Sequence, residues 1–147
     1  MGTQLVYDTD RLVAFVRAYM PFARSEGQVG IGLERAGKLQ AAVIYEGINP
    51  FNVWMSVAAR PGAHWLTRTF LRVGFGYAFV TCGARAVRAY VDASNTRARA
   101  LDEHLGFQVE AVLQGAAKDG GDVLIYRMLR EDCRYVTLPP TRLPRSA

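Results

Sequence analysis

Between Val29 and Ala59 three apolar segments follow one another with almost nothing between them. Val29–Arg35, Lys38–Glu46 and Phe51–Ala59 are separated only by Ala36-Gly37 and by the stretch from Gly47 through Pro50. Connections that short cannot return a chain to start a parallel strand, which needs a crossover of roughly a dozen residues or more. The three segments are therefore predicted to form an antiparallel meander. Everything before and after has to pack on that sheet or extend it.

Beyond Arg60-Pro61-Gly62 the period becomes helical, with Leu66, Phe70, Val73 and Tyr77 at three- and four-residue steps. Gly74 and Gly76 weaken that helix by about 1 kcal/mol each relative to Ala, which is tolerable where something packs closely against it. Ala86–Val91 reads as a strand, Ser94 as the cap of a helix running to about Leu105, and Gly106 as its left-handed stop. Phe107–Leu113 and Val123–Leu129 are the last two strands, around a Lys118-Asp119-Gly120-Gly121 loop. Upstream of the meander, Asp8 or Thr9 caps a helix that places Leu12, Phe15, Val16 and Tyr19 on one face before Pro21 stops it. The order predicts an α/β (α+β) fold: a mixed, mostly antiparallel central sheet with helices on both faces, made partly parallel by crossovers in the second half.

With 147 residues, half of them apolar, the chain has material for one core and no second domain. Residues 1–135 are expected to form it, and the tail over 136–147, containing L-P-P-T-R-L-P-R-S-A, is expected to be disordered. Arg or Gly interrupts every apolar run before the roughly 18 residues of a membrane span, and the first residues lack the basic, apolar pattern of a secretory signal. Cys82 and Cys133 fit neither a disulfide framework nor a metal-ligand spacing, which points to reduced thiols and a cytoplasmic location, with no metal. Charge is uneven. Residues 1–59 are neutral, 60–105 carry seven arginines against Asp92, Asp102 and Glu103, and 106–147 are close to balanced. A field focused in the middle third suits a phosphorylated cofactor; nucleic acid would need interleaved aromatics and a recognised motif, and neither is present.

From Val87 onward the chain reads V-R-A-Y-V-D-A-S-N-T-R-A-R-A-L-D-E-H-L-G-F-Q-V-E-A-V-L, then a Gly-rich turn and D-V-L-I-Y-R-M. A strand ending before Asn95, a helix with small residues, L-G-F at 105–107, Glu110 and the closing strand resemble the GNAT superfamily of acyl-coenzyme A-dependent N-acyltransferases. The similarity is greatest to the branch that acetylates ribosomal-protein N-termini and to small phage and prophage GNAT-like proteins, and it covers about residues 5–130. It implies acetyl-CoA or CoA as cofactor. Asn95 stands where the carboxyl end of a strand meets a helix, a common place for a crevice, and offers both donor and acceptor to an amide-bearing ligand such as pantetheine. Its other role would be a turn residue or second cap; the resemblance assigns it to the cofactor.

The resemblance also implies a diphosphate loop after the third meander strand, of the form (Q/R)-x-x-G-x-(G/A), where orphan amides and a helix dipole hold a dianion. Aligned from Val57 without gaps, the six positions are Gly62, Ala63, His64, Trp65, Leu66 and Thr67. Length is kept, but Trp65 and Thr67 stand where the family has small residues. Trp65 either tucks under the helix and leaves the amides free or fills the loop and blocks it. The cofactor-binding set is then Val57, Ala58, Ala59, Arg60, Ala63, His64, Trp65, Thr67, Arg68 and Asn95.

Acetyl transfer to an amine also needs proton transfers, each contributing about 10²–10⁴-fold. The positions of the family's thiolate proton donor are occupied by Asp102 and Ala98, and neither is expected to donate at neutral pH. Tyr126, Tyr90 and Ser94 are the substitutes the sequence offers, of which Tyr126 is taken as the donor, with Glu46, at the end of the second meander strand, as base. Glu34 is expected to be an exposed strand carboxylate paired to Arg35 or Lys38. The implied activity is N-acyl transfer to an amine-bearing small molecule or a protein N-terminus; the alternative is a catalytically degenerate, CoA-binding or structural GNAT-fold protein. Strand edges at the last hairpin make a homodimer plausible.

Overall fold

A computed structural model describes residues 2–137. The meander forms where the turns place it: β2 (Val29–Arg35) pairs antiparallel with β3 (Lys38–Glu46), and β3 with β4 (Val53–Ala59). Ala36 and Gly37 both take positive φ, 52° and 78°, the two-residue turn that matches strand twist. Asn49 replaces two residues of β4 that the sequence suggests: its Oδ1 accepts from the amides of Phe51 and Asn52, so the strand starts at Val53. A further strand, β1 (Thr3–Val6), adds antiparallel to the free edge of β2.

Helix α1 (Thr9–Arg17) is capped by Asp8, whose carboxylate accepts from the Arg11 amide. It lies across β2–β4 and buries Leu12, Val13 and Val16 against Leu39, Ala42, Ile44 and Ala58. Phe15 is only half-buried and Tyr19 lies past the helix end, 44% exposed, so the apolar face is centred one residue away from its expected position. Gly30 and Gly32 set that contact: a Cβ on either would overlap the Leu12 side chain.

The other face carries the larger core. Helix α2 (Arg68–Gly76) continues through one π-turn, Tyr77–Thr81, and buries Phe70, Phe75, Ala78 and Phe79. The Tyr45 hydroxyl, buried on β3, donates to the Gly74 carbonyl at 2.7 Å, and a Cβ at Gly74 would sit 3.4 Å from that oxygen. This is the close packing that makes a helical glycine tolerable.

The chain then crosses to β5 (Ala86–Asp92), passes through α3 (Thr96–Leu105), which Gly106 ends at φ 110°, and finishes with β6 (Gln108–Leu113) and β7 (Val123–Leu129). Sheet order is β1-β2-β3-β4-β5-β7-β6, antiparallel throughout except for β4 and β5. Leu105 and, less deeply, Ala98 and Leu101 join α3 to the α2 side. Helices therefore cover both faces, as the sequence predicts. Tyr135 and Val136 pack on the core, and the Tyr135 hydroxyl donates to the Leu105 carbonyl. The expected disordered tail, from 138 on, lies outside the described residues. Among those described, no helix is long and apolar enough to cross a membrane, both cysteines are free, and no cluster of metal-ligating side chains is present.

Candidate functional site

The parallel junction in the sheet is two rungs long. Only Val53 with Val87 and Trp54 with Arg88 pair across it; from Met55 onward β4 and β5 part. The Arg60 amide donates to the Gln40 carbonyl, so in an unbroken antiparallel ladder Ala58 and Ser56 also bond toward β3. Val57 and Ala59, one step out of phase, then direct their amides and carbonyls into the gap facing β5. A crevice at the carboxyl ends of β4 and β5 is thus edged by unpaired backbone.

At its outer end the chain turns at Gly62, with the Ala63 amide bonded to the Arg60 carbonyl, before α2 begins. Trp65 does not fill this loop. Its ring meets Phe70 edge-on at 6.2 Å and packs on the main core, the tucked position of the two considered. Thr67 is the cap of α2; its hydroxyl oxygen accepts from the Phe70 amide, which leaves the O–H free to donate outward. The amides of Arg68 and Thr69, at the first turn, have no intrahelical acceptor. His64, Arg60 and Arg68 are exposed beside it.

Across the gap, Asn95 rather than Ser94 caps α3. Its Oδ1 accepts from the Ala98 amide at 3.1 Å, leaving its amide N–H₂ unspent. Two buried polar atoms have no partner among the described residues, Arg99 Nε on α3 and the Tyr126 hydroxyl on β7. Tyr126 is enclosed on β7 opposite Ala89. Orphaned amides at a helix N-terminus, an unspent carboxamide and two orphaned buried donors fit a long ligand carrying a diphosphate and amides, so the residues present suit coenzyme A.

Asp102 corrects the expectation that it cannot donate a proton near neutrality. It lies on the Ala98–Leu101–Leu105 stripe of α3, mostly out of solvent; burial, with a smaller push from Glu103, raises its carboxyl to about 7. Half of it is protonated there. Sequence spacing marked the position, but only packing could change its acidity.

Glu46 is half-buried and accepts at Oε1 from the Gln28 carboxamide and the Ser25 hydroxyl. Gln28, 6% exposed, also donates to the Ala23 carbonyl, so the base candidate is tied to the 23–28 loop. Glu34 is not the expected surface carboxylate. It is buried, paired with Arg11 at 2.6 Å and bonded to Gln4 at 2.7 Å; those hydrogen bonds hold it below the usual carboxylate range. It closes the β1 edge and has no place in the site. Glu110 sits at a bulge in β6, held by both Arg88 nitrogens at 2.9 and 3.2 Å. A cleft of about 1100 Å³ lies between α2, its π-turn and residues 134–137, and reaches the site only at Arg68.

No family model matches the chain, and no curated protein matches it in sequence. Solved structures do match in three dimensions. A spermidine/spermine N-acetyltransferase, SpeG of Vibrio cholerae, in mutant form, superposes with a TM-score of 0.71 at 16% identity, over 88% of this chain and 96% of that one. The same enzyme in complex with manganese ions gives 0.70 at 16%, over 88% and 93%. A chimera of it with hSSAT gives 0.70 at 18%, over 89% and 97%. At such identities the likeness is one of fold, and the fold is GNAT.

Proposed function

We propose that the chain is an N-acyltransferase that moves an acetyl (acyl) group from coenzyme A to an amine by direct attack on the thioester in a ternary complex. The observation that carries this reading is the two-rung β4–β5 junction, with the unpaired backbone of Val57 and Ala59 lining the opening beyond it. Acetyltransferase activity in proteins of the same fold supports it.

Acetyl-CoA supplies the activated acyl carbon. This chain supplies the rest. The loop from Arg60 to Arg68, with Ala63, His64, Trp65 and Thr67, would hold the diphosphate end; Val57, Ala58, Ala59 and Asn95 would hold the amide-bearing arm. A fixed amide in the gap stabilises negative charge developing on a carbonyl oxygen without reorganising. Glu46 takes the proton of the acceptor ammonium. Asp102, on α3, is the group that would protonate a departing thiolate, and Tyr126, enclosed on β7, is the second candidate.

Asn95→Asp separates binding from capping, because Asp still accepts the Ala98 amide but cannot donate. Calorimetry with CoA should show roughly tenfold weaker binding for this variant, a loss of about 1.4 kcal/mol, with the melting temperature unchanged. If the wild-type chain takes up neither CoA nor acetyl-CoA at millimolar concentration, the enzyme reading is wrong and a structural role replaces it.

We further propose that the acceptor-side assembly is a homodimer joined through β6. That edge strand is exposed along its whole length, with Val109, Val112 and Leu113 each close to half exposed, no Pro or Lys, and its one charge turned inward to Arg88. Light scattering on the wild type should give a dimer and on Val112→Lys a monomer. A monomeric wild type at high micromolar concentration would sink the idea.

A further inference from the structure

On the face covered by α1, the sheet carries an aromatic pair beyond the helix. Side chains alternate along a strand, so Trp54 shares this face with Ala58, which packs under α1. In register, Glu46 stands directly across from Trp54, and Trp54 across from Arg88, two residues before Tyr90. Glu46, Trp54 and Arg88 therefore form one row over the closed end of the β4–β5 gap, and Tyr90 is the next residue of β5 on the same face. The indole leans toward the Glu46 end of the row: a Cβ at Gly47 would lie 3.1 Å from Trp54 Cδ1. Tyr90 meets it edge-on, with ring centroids 6.2 Å apart, and is 57% exposed.

Charge in the row is unevenly spent. Arg88 is paired with both oxygens of Glu110, which Arg127 also approaches at 3.9 Å, and donates its remaining arm to Asn52. Glu46 has no cationic partner among the described residues and is held by neutral Gln28 and Ser25. A carboxylate with unspent charge near two aromatic rings is complementary to a desolvated ammonium, worth about 0.5–1 kcal/mol for each ring whose face the cation reaches at an exposed site.

We propose that Glu46, Trp54 and Tyr90 seat the acceptor's ammonium group, and that the acceptor is a primary alkylamine with an aliphatic stem rather than a protein N-terminus. This rests on the acyl-transfer reading above and specifies its substrate class. A peptide brings amides that need hydrogen-bond partners. Beneath Glu46 and Trp54 the backbone groups lie in the sheet plane and are taken up by the ladder, and the neighbouring Arg88 and Asn52 are bonded to Glu110 and to each other, which leaves rings and a carboxylate for a ligand at this spot. An aliphatic stem asks for nothing more. The seat also lies where the gap begins, so an amine held there stands beside the opening.

The test is titration of n-butylamine, n-butanol and the dipeptide Ala-Ala into CoA-saturated protein, followed by calorimetry. n-Butylamine should bind and n-butanol should not. Tyr90→Ala and Trp54→Leu should each weaken the amine roughly fivefold and leave CoA affinity unchanged, while Tyr90→Phe, which keeps the ring, should match the wild type. Equal amine affinity in Tyr90→Ala, Trp54→Leu and wild type overturns the seat. So does butanol binding as well as butylamine, and Ala-Ala binding more tightly than butylamine overturns the substrate class. If butylamine binds through these residues but CoA does not bind at all, the seat stands and the acyl-transfer reading falls.

Discussion

Replacing Glu46 with Gln should lower kcat for amine acetylation by about 10²–10³-fold, within the range for loss of one proton-transfer group, with CoA affinity unchanged. An alkylammonium is almost fully protonated at neutral pH and cannot attack until its proton has a destination. Glu46 is placed to receive it: held at one oxygen by Gln28 and Ser25, tied to no cation among the described residues, and opposite Trp54, the last residue of β4 that still pairs with β5. Gln keeps the volume and still accepts from Gln28, so the 23–28 loop stays in place. Steady-state kinetics across pH decide the matter. Raising pH supplies neutral amine from solution and should recover part of the lost rate. A variant within threefold of wild type at neutral pH would assign the proton to another group or to water.

Asp102→Asn should have two effects of opposite benefit. The folded chain holds the Asp102 proton to about pH 7, whereas the unfolded chain releases it near the ordinary 3.8. Below 3.8 both states are protonated and the residue is neutral to stability. Between 3.8 and 7 the folded state binds more protons than the unfolded one, so stability falls as pH rises, and above 7 the full penalty of a buried carboxylate applies. The ceiling on that penalty is about 4 kcal/mol; Asn, never charged, avoids it but still buries an amide. The variant should therefore be more stable than wild type by about 1–3 kcal/mol at pH 8 and equal to it at pH 4. Denaturant melts at the two pH values measure this, and an equal gain at both would show that charge is not the cause. Activity should move the other way. With no proton to give under α3, the rate should drop about tenfold at pH 6–7 and lose its alkaline limb. If kcat and its pH dependence are untouched, Asp102 is a buried carboxyl and nothing more.

Much of this fold is legible in the sequence because turns and periodicity are local. β2, β3 and β7 begin and end where alternation and glycines place them. β1 is not legible: four residues, T-Q-L-V, are too few to show a period, and only the free edge of β2 makes them a strand. The cap of α3 moved from Ser94 to Asn95 since either side chain can accept an amide and backbone geometry chooses. The site is less legible still. Asn95, Thr67 and the 60–68 loop follow from spacing, yet whether Trp65 blocks the loop depends on Phe70 lying beside it. The two-rung junction leaves no trace in β4 or β5, whose residues read alike whether paired or parted. Asp102 is a surface residue by composition; α3 packing alone makes it otherwise. Trp54 and Tyr90 are 36 positions apart in the chain and meet only through the parallel register.

The junction between β4 and β5 also governs how the molecule holds together. One half of the sheet, β1 through β4, has α1 on its back; the other, β5, β7 and β6, answers to α3. Two rungs and the core beneath α2 are the seam between them. A seam so short is the natural place for the halves to breathe, and backbone amides near it should open at lower cost than those within either half. A ligand laid along Val57 and Ala59 would act as a strand set into the seam. Binding there would close the sheet and make the ligand for that interval a part of the framework.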